Sequence, residues 1–326
     1  MTLPEKDVTD EHRQRARPPG AVGMTRHIVR TAADADYRPP ADARPGSGLT
    51  RWTIAGEGTP GAVHTEFNVC ALAPGGHVAA AVQSYEECFY VLEGTPVVRT
   101  PEGAARLRPG DYGLLPIGVP HEWRNDPDAE PARWAQMRAP QPRAAYGHDV
   151  FDVASLDGPP PVGVDVRDPR TRLFGHIESA NMEVDKQRQE LLAMSASMRT
   201  ALLVYSGITV KMMVDSDLGA QLTTMFMVQY EPAGMAGPHD HPFEETYLFL
   251  EGEADAVFDG QTYRLRAGDA AFAGVGCVHG FTNVGDGPVR WLETQAPQPP
   301  ARHSYRFVRD WDYLRSVTSK STEEEK

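Results

Sequence analysis

Cysteine is scarce in this chain of 326 residues, which has only Cys70, Cys88 and Cys277, all far apart in the sequence. An odd and scattered set of cysteines does not make a disulfide framework, so we predict a reducing, cytoplasmic environment. Positive charge is also in short supply, because 32 Lys and Arg against 45 Asp and Glu give a formal net charge of −13. Since such a chain repels phosphate backbones, we expect no nucleic-acid partner.

Long hydrophobic runs are missing as well. No apolar segment approaches the roughly 20 residues that a membrane-spanning helix needs, so we expect no membrane partner. The N-terminal sequence MTLPEKDVTDEHRQRARPPG is polar and lacks the apolar core of a secretory signal. Charged and Pro-rich residues 1–22 predict a flexible arm, and residues 316–326, ending in STEEEK, predict a flexible tail.

Glycine and proline, in contrast, are abundant, and the sequence repeats itself. The 30 Gly and 28 Pro suit many short strands joined by tight turns. Residues 73–94 align without a gap with residues 231–252, and the same offset carries on to place His121 on His279. A match of this length predicts two copies of one structural unit.

Each copy has the pattern of short strands. Residues 88–94 and 246–252 are aromatic and β-branched runs that end in Gly turns. Turn signals recur about every eight to twelve residues, which predicts a barrel or a sandwich. Between the copies, residues 179–198 contain good helix formers without Gly or Pro and predict a short helix.

The second copy contains a candidate metal site. His239 and His241 are two residues apart, so their side chains point to the same side of a strand, and Glu245 and His279 follow on later strands. A lone His-x-His pair is more often a surface or core feature, but its combination with a nearby carboxylate and a distant imidazole favours a ligand set. Three imidazoles and one carboxylate favour Fe(II) or Mn(II), with Ni, Co and Zn also admitted, and leave about two positions of an octahedral ion open.

Two blocks of the second copy resemble the two signature motifs of the cupin superfamily. They read Gly234-x4-His239-x-His241-x3-Glu245-x6-Gly252 and Gly268-x5-Gly274-x-Gly276-x2-His279-x3-Asn283. The family usually has one more residue before the first His and a Pro where Gly274 stands. The resemblance implies an all-β chain of two tandem cupin barrels, each a jelly roll or double-stranded β-helix, with a short helical connection, and it assigns the four residues above as metal ligands.

The predicted organisation follows from the positions of the two copies. Five segments are expected: the arm 1–22, an N-terminal barrel with a degenerate metal site at 23–145, a linker with a helix at 146–205, a C-terminal barrel with the metal site at 206–315, and the tail 316–326.

The first copy departs from the metal motif. Ala81 and Gln83 stand where the second copy has its two paired histidines, while Glu87 and His121 are retained. Because Ala has no donor atom and Gln is a weak ligand for a transition metal, we expect no metal there. The retained Glu and His then bond to each other inside a plugged barrel.

Further residues are candidates for a substrate pocket. Tyr247 and Phe249 alternate with Glu245 along one strand and therefore share its direction. Met227 and Gln229 lie on the strand that precedes the His pair and are predicted to face the ligand. Ordinary core packing is the other interpretation of these four residues. Cys277, two residues before His279, is interpreted as a buried and inert thiol.

The resemblance extends to function. Two-barrel dioxygenases such as the quercetinases use three His and one Glu, which predicts a metal-dependent oxidoreductase that acts on a small aromatic or enol substrate at the C-terminal barrel. There Glu245 would bind the metal and could accept a substrate proton. Two alternatives stay open: a manganese-dependent hydrolase or lyase similar to (S)-ureidoglycine aminohydrolase, and a cupin that binds a small molecule without catalysis. Oxalate decarboxylases are longer and carry metal in both barrels, so they fit less well, and edge strands allow a homodimer.

Overall fold

The computed structural model describes residues 25–41, 46–144, 149–183, 205–299 and 306–307. Nearly all regular structure in these ranges is β-strand, and the helical part consists of short 3-10 turns at Ala32–Asp34, Pro169–Thr171 and Ser179–Met182. The all-β prediction is confirmed. Among the described residues, no helix has both the length and the apolar character needed to cross a membrane.

The first barrel is built from two six-stranded sheets. Its strands are β2 (Leu49–Ala55), β3 (Glu66–Leu72), β4 (His77–Gln83), β5 (Glu86–Glu93), β6 (Val97–Thr100), β7 (Gly103–Arg106), β8 (Asp111–Leu115), β9 (His121–Arg124) and β10 (Ala132–Ala139), followed by β11 (Val150–Asp152), β12 (Val162–Gly163) and β13 (Phe174–His176). The sheets run β13-β8-β5-β10-β3-β2 and β11-β4-β9-β6-β7-β12.

The second barrel repeats this order in one ten-stranded sheet. Its strands are β14 (Tyr205–Val214), β15 (Thr224–Asp240), β16 (Glu244–Glu251), β17 (Glu253–Phe258), β18 (Gln261–Arg266), β19 (Ala270–Ala273), β20 (His279–Asn283), β21 (Val289–Ala296) and β22 (Arg306–Phe307), joined by β1 (His27–Arg30). The path is β1-β19-β16-β21-β15-β20-β17-β18, with β14 and β22 also paired to β15. The 17-residue β15 is equivalent to β3 and β4 of the first barrel taken together. The two tandem jelly-roll barrels are thus as predicted.

Strand β15 buries both of its faces. Phe226 and Val228 point into the second barrel, where they pack against Trp291, whereas Met225 and Met227 belong to a core shared with the first barrel. A strand covered on both sides has a nearly continuous apolar sequence instead of a clean alternation. The shared core joins the two barrels into one packed body.

The Gly that ends the first motif is required in both barrels. Gly94 and Gly252 have φ of +76° and +71°. A Cβ at Gly252 would lie 2.5 Å from the carbonyl oxygen of Pro288, and one at Gly94 would lie 2.7 Å from Cα of Ala132. Both the left-handed backbone and the close approach exclude a side chain.

The strand pairing differs from the predicted domain boundaries. The segment 23–145 was assigned to the first barrel, yet β1 pairs with β19 of the second barrel, with His27 opposite Ala273. Conversely β13, assigned to the linker 146–205, pairs with β8 of the first barrel at the equivalent edge. An exposed strand edge needs a partner, and here each edge takes it from a connecting segment.

The other linker predictions fall largely outside the described residues. Of the predicted helix 179–198, only 179–183 are described, and they begin with the 3-10 turn Ser179–Met182, closed by a capping box between Glu178 and Asn181. The arm 1–22 and the tail 316–326 lie outside the described ranges.

Two buried glutamates join the barrels in a symmetric way. Glu244 is fully buried and accepts hydrogen bonds from the backbone N–H groups of residues 63–65, at 2.6 to 3.1 Å. Its counterpart in the repeat, Glu86, accepts from the backbone N–H groups of residues 221–223, at 2.8 to 3.2 Å. Since the two loops are also counterparts, the contact between barrels has an approximate two-fold symmetry.

Candidate metal centre

Three neighbouring strands and one turn carry the predicted metal ligands. His239 lies near the end of β15 and faces His279, the first residue of β20, across the sheet. His241 follows in the turn after β15. Glu245, the second residue of β16, lies opposite Gln295 of β21. The jelly-roll order thus brings residues that are far apart in the sequence to one end of the barrel interior.

The four side chains lie together and are shielded from solvent. Ligand atoms of His241, Glu245 and His279 are all within 4.8 Å of one another. The Nε2 atoms of these two histidines are 2.8 and 3.2 Å from the same Glu245 oxygen, Oε2. The ring centroid of His239 lies 4.4 Å from that of His279. None of the four is more than 6% exposed.

Backbone carbonyls fix the orientation of all three imidazole rings. Each ring places its Nδ1 against a carbonyl oxygen two residues away in the chain. These oxygens belong to Gly237, Phe243 and Cys277, at 2.8, 2.8 and 2.9 Å. Because a carbonyl can only accept, each Nδ1 carries a hydrogen, and Nε2 is the nitrogen that a metal ion would bind.

The electrostatics of the site call for a positive charge. Burial and the neighbouring His279 lower the pKa of His239 to about 3. Burial alone would raise the pKa of Glu245, but contacts with His241 and His279 outweigh it and hold that pKa well below its usual range. With neutral rings, Nε2 lone pairs would face an ionised carboxylate, an arrangement that only a shared proton or a cation relieves. The donor set therefore fits a metal ion, although the ligand roles stay predictions.

Two further side chains hold Glu245 in place. The Tyr247 hydroxyl donates to Oε2, and Gln295 Nε2 donates to Oε1 at 2.6 Å. Such contacts orient a ligand and keep it ionised. Gln295 was not predicted from the sequence, and the available signal was that Trp291, Glu293 and Gln295 alternate along β21 and therefore share one face of the strand.

Glu293 is a second carboxyl group inside the same barrel. It is about nine-tenths buried, and its Oε2 accepts a hydrogen bond from Trp291 Nε1 at 2.9 Å. Burial and the charge of Glu245 raise the pKa of Glu293 well above its usual range. The interior thus combines an ionised carboxylate with a neutral carboxylic acid, a combination suited to proton transfer.

The predicted pocket residues divide into two groups. Tyr247 and Phe249 point into the second barrel and form an aromatic wall with Phe281 and Trp291. Met227 lies instead in the core shared by the two barrels.

Gln229 lies on the same face of β15 as Met227, the outer face, which is turned away from the interior of the second barrel. There it forms hydrogen bonds with Glu231 and Arg290, at 3.0 and 3.1 Å. The prediction for Met227 and Gln229 is therefore wrong. The register of β15 shifts by one residue between Ala236 and His239, and such a bulge reverses which residues face inward.

The equivalent position in the first barrel has a different chemistry. Gln83 Nε2 lies 3.4 Å from Glu87 Oε2, and His121 Nδ1 lies 3.1 Å from the Val119 carbonyl. Within the described ranges, no group of three His, Cys, Asp or Glu ligand atoms converges inside this barrel. The predicted bond between Glu87 and His121 is not among the contacts observed.

A second group with metal-binding atoms lies where β1 joins the second barrel. It consists of His27, Asp259 and Cys277. Arg26 already contacts both Asp259 oxygens, at 2.6 and 2.9 Å, and so neutralises its charge. Burial raises the pKa of the Cys277 thiol to about 12, in agreement with its interpretation as inert. We read this group as an anchor for β1.

Comparison with known proteins adds a family match. A family model described as a cupin domain matches residues 68–137 and 226–294. Over 90 residues the chain is 31% identical to the polyketide synthase CurC of Streptomyces cyaneus, covering 26% of this chain and 58% of that protein. Over 101 residues it is 30% identical to the tetracenomycin polyketide synthase protein TcmJ of Streptomyces glaucescens, covering 30% and 68%.

Solved structures with a similar fold include two oxalate decarboxylases. A deletion mutant of the Bacillus subtilis enzyme OxdC superposes with a TM-score of 0.57 at 15% identity, covering 86% of this chain and 79% of that one. The Lactobacillus farciminis enzyme, in a formate complex, gives a TM-score of 0.55 at 18% identity, covering 87% and 89%. At these identities the likeness concerns the fold.

Proposed function

Because this chain belongs to the cupin family, with two cupin domains in tandem, we propose that it is an enzyme whose second barrel holds one divalent transition-metal ion. The observation that carries the proposal is the convergence of His241, Glu245 and His279 on one point, with His239 beside them. All three rings are oriented by carbonyls so that Nε2 is the coordinating atom.

The proposed metal is Fe(II) or Mn(II). Three imidazoles and one carboxylate suit hard or borderline ions, with Ni, Co and Zn as less favoured occupants. One of the structures with a similar fold, the Bacillus subtilis oxalate decarboxylase, is described as having Mn(II) centres. A bound ion of this kind would polarise a coordinated enol or phenol oxygen and, if redox-active, supply electrons to dioxygen.

The proposed substrate is a small aromatic or enol compound, and the reaction is its dioxygenation. The wall beside the ligands is aromatic, with Tyr247, Phe249 and Phe281 in mutual contact, which suits a flat, electron-rich molecule. The two relatives are named as proteins of polyketide synthesis. Polyketide chains enolise readily and close to phenols, so compounds of that class meet the same requirement.

The roles of the chain's own residues follow from their contacts. Both Glu245 oxygens are engaged, by Tyr247 and Gln295, so this residue serves as an oriented ligand. The candidate proton carrier is therefore Glu293, since burial and the charge of Glu245 raise the pKa of its carboxyl group, which suits it to donate a proton to a substrate oxygen.

A hydrolase or lyase that does not consume dioxygen is the second candidate. The observation in its favour is again Glu293, because a neutral carboxylic acid beside a Lewis-acid site suits proton transfer without any redox step. A cupin that binds a small molecule without turning it over is the third possibility, and the experiment has to distinguish it from the two enzymes.

The test combines metal reconstitution with dioxygen uptake. The purified protein is loaded with Fe(II) or Mn(II) and offered catechols, flavonols and polyhydroxylated naphthalenes. Dioxygen uptake with both atoms of labelled dioxygen in the product supports the dioxygenase. Turnover without dioxygen supports the second candidate, and tight binding without turnover contradicts both. His241→Ala serves as the metal-free control.

A further inference from the structure

The loop of residues 274–278 joins β19 to β20 and contacts two of the candidate ligands. The backbone N–H of Gly276 donates to the carbonyl oxygen of His241 at 3.0 Å. The carbonyl oxygen of Cys277 lies 2.9 Å from Nδ1 of His279 and orients that ring. The positions of two imidazole rings therefore depend on this loop, which we call the ligand loop.

Arg26, the residue before β1, holds the ligand loop from outside the barrel. Its Nη1 donates to the Gly276 carbonyl oxygen at 2.7 Å, and its own carbonyl oxygen accepts from the Gly274 N–H at 2.6 Å. Its Nε and Nη2 donate to the two carboxylate oxygens of Asp259, at 2.9 and 2.6 Å. Asp259 in turn accepts from the Val278 N–H at 3.1 Å. Arg26 and Asp259 together thus form a clamp that reaches both ends of the ligand loop.

The equivalent loop of the first barrel, residues 116–120, has the same internal hydrogen bonds. The Gly118 N–H donates to the Gln83 carbonyl oxygen at 3.1 Å. Nδ1 of His121 lies 3.1 Å from the Val119 carbonyl oxygen. The connection between loop and site is therefore common to both barrels, and the two can be compared for what holds the loop.

The first barrel has different residues where the second barrel has its clamp. Pro101, which has no carboxylate, stands at the position of Asp259, and Pro116 stands at the position of Gly274. Proline has no backbone N–H and so cannot donate the bond that Gly274 gives to Arg26. Strand β13 starts opposite Gly113, two residues short of the level at which β1 starts. The clamp thus belongs to the barrel with the candidate ligands, and it accounts for the Gly that replaces the usual Pro of the second cupin motif.

We propose that Arg26 is a positioning residue of the candidate metal centre, so that the N-terminal strand is part of the site. This inference rests on the function proposed above, because it assumes a metal ion in the second barrel. A guanidinium group matches a carboxylate in shape and charge, and the two-point contact with Asp259 fixes its orientation. The remaining nitrogen then holds Gly276, and with it the carbonyl oxygen of Cys277 that orients the ring of His279.

The first test is the affinity of Arg26→Gln for Mn(II), measured by competition with a chelator. Contacts behind metal ligands contribute about 10- to 100-fold in affinity, and we expect a loss in that range. The absorption spectrum of bound Co(II) should also change, because a displaced imidazole alters the coordination geometry, whereas a general loss of stability would not alter it. Arg26→Lys keeps the charge without the fork, so its affinity should be intermediate, and it covers the case in which Arg26→Gln fails to fold. Arg264→Gln, which removes an exposed arginine paired with Asp255, should change neither reading.

The second test needs no metal and uses the thiol in the ligand loop. Cys277 is only 1% exposed. We expect Arg26→Gln to raise the alkylation rate of Cys277 in metal-free protein by about ten-fold, since local opening of the loop exposes it. Cys70 and Cys88, buried in strands of the first barrel, should react as in the unmodified protein, and mass spectrometry distinguishes the three sites.

The outcomes separate this proposal from the proposed function. Unchanged metal affinity in a folded Arg26→Gln, or an equal loss in Arg264→Gln, would overturn the role of Arg26 and leave the function standing. Absence of metal binding in the unmodified protein would overturn the function. The alkylation of Cys277 then decides by itself whether Arg26 holds the ligand loop: a faster reaction in Arg26→Gln supports it, and an equal rate overturns it.

Discussion

At the level of single residues, the two barrels differ at the candidate metal site by a few side chains on an equivalent backbone. His239 and His241 of the second barrel are replaced by Ala81 and Gln83 in the first, although the backbone register is the same. Both barrels even keep the one-residue shift before this point. The backbone therefore places a side chain at the same position in both barrels, whether or not that side chain can bind a metal.

Removal of one imidazole should abolish metal binding. His241→Ala removes a predicted ligand whose Nε2 lies 2.8 Å from Glu245 Oε2, and the carboxylate is left buried with less compensation. We expect metal content after reconstitution to fall from about one ion per chain to near zero, measured by elemental analysis. Gln83→Ala, the matched change in the first barrel, should leave metal content as in the unmodified protein. Equal metal content in His241→Ala would contradict the ligand assignment.

Loss of a contact behind the ligands should weaken the site without destroying it. Gln295→Met removes the amide that donates to Glu245 Oε1 at 2.6 Å and keeps a similar volume. Contacts of this kind contribute about 10- to 100-fold in metal affinity, and we expect a loss in that range by competition with a chelator. Gln229→Met is the control, since that side chain lies on the outer face of β15. If only Gln229→Met lowered the metal affinity, Gln229 and not Gln295 would be the side chain that supports the site.

The inward direction of the candidate ligands could be predicted from the sequence, and that of the pocket candidates only in part. Tyr247 and Phe249 follow Glu245 along one regular strand, so alternation predicted that they point into the second barrel, while their role in a pocket stays a prediction. Met227 and Gln229 are separated from His239 by a bulge, and nothing in an apolar sequence buried on both faces reveals where alternation reverses. Gln295 was missed because its role depends on a strand far away in the sequence.

At the level of elements, the tight turn after β16 depends on Gly252. The residue combines a φ of +71° with a Cβ position 2.5 Å from the Pro288 carbonyl oxygen. We expect Gly252→Ala to destabilise the protein by about 2–4 kcal/mol, since backbone strain and a backbone clash add up. Gly260 has a φ of +81° with open space around it, so Gly260→Ala isolates the strain and should cost about 1 kcal/mol. Chemical denaturation measures both, and equal losses would mean that the clash is relieved.

The exchange of edge strands is an element-level feature that the sequence does not reveal. Both β1 and β13 are short, and neither carries a pattern that distinguishes one barrel edge from the other. Their places are decided by which edge is within reach and by anchors such as the Arg26 contact with Asp259. The internal repeat predicted the barrels because it covers their long central strands, whereas β1 precedes the first copy of the repeat and β13 lies between the two copies.

At the level of the whole molecule, the repeat also explains how the barrels are joined. Glu86 and Glu244 precede the motif glutamates by one residue, so each points away from its own barrel interior and toward the other barrel. Each then receives a row of backbone N–H groups from a loop of the partner barrel. One sequence feature, present twice, thus builds both the site and the contact between barrels. A homodimer stays a prediction.

Removal of these carboxylates should separate the barrels during unfolding. Glu244→Gln replaces a charged acceptor of three backbone N–H groups by a neutral one, and hydrogen bonds to charged groups contribute about 1.5–3 kcal/mol each. We expect a loss of about 2–3 kcal/mol for Glu244→Gln and a similar loss for Glu86→Gln. In the double variant, the shared core loses both attachments, and calorimetry should resolve two transitions in place of one. Glu251→Gln, on the same strand but exposed, should leave the thermogram unchanged. A single transition at the original temperature in the double variant would show that apolar packing alone holds the barrels together.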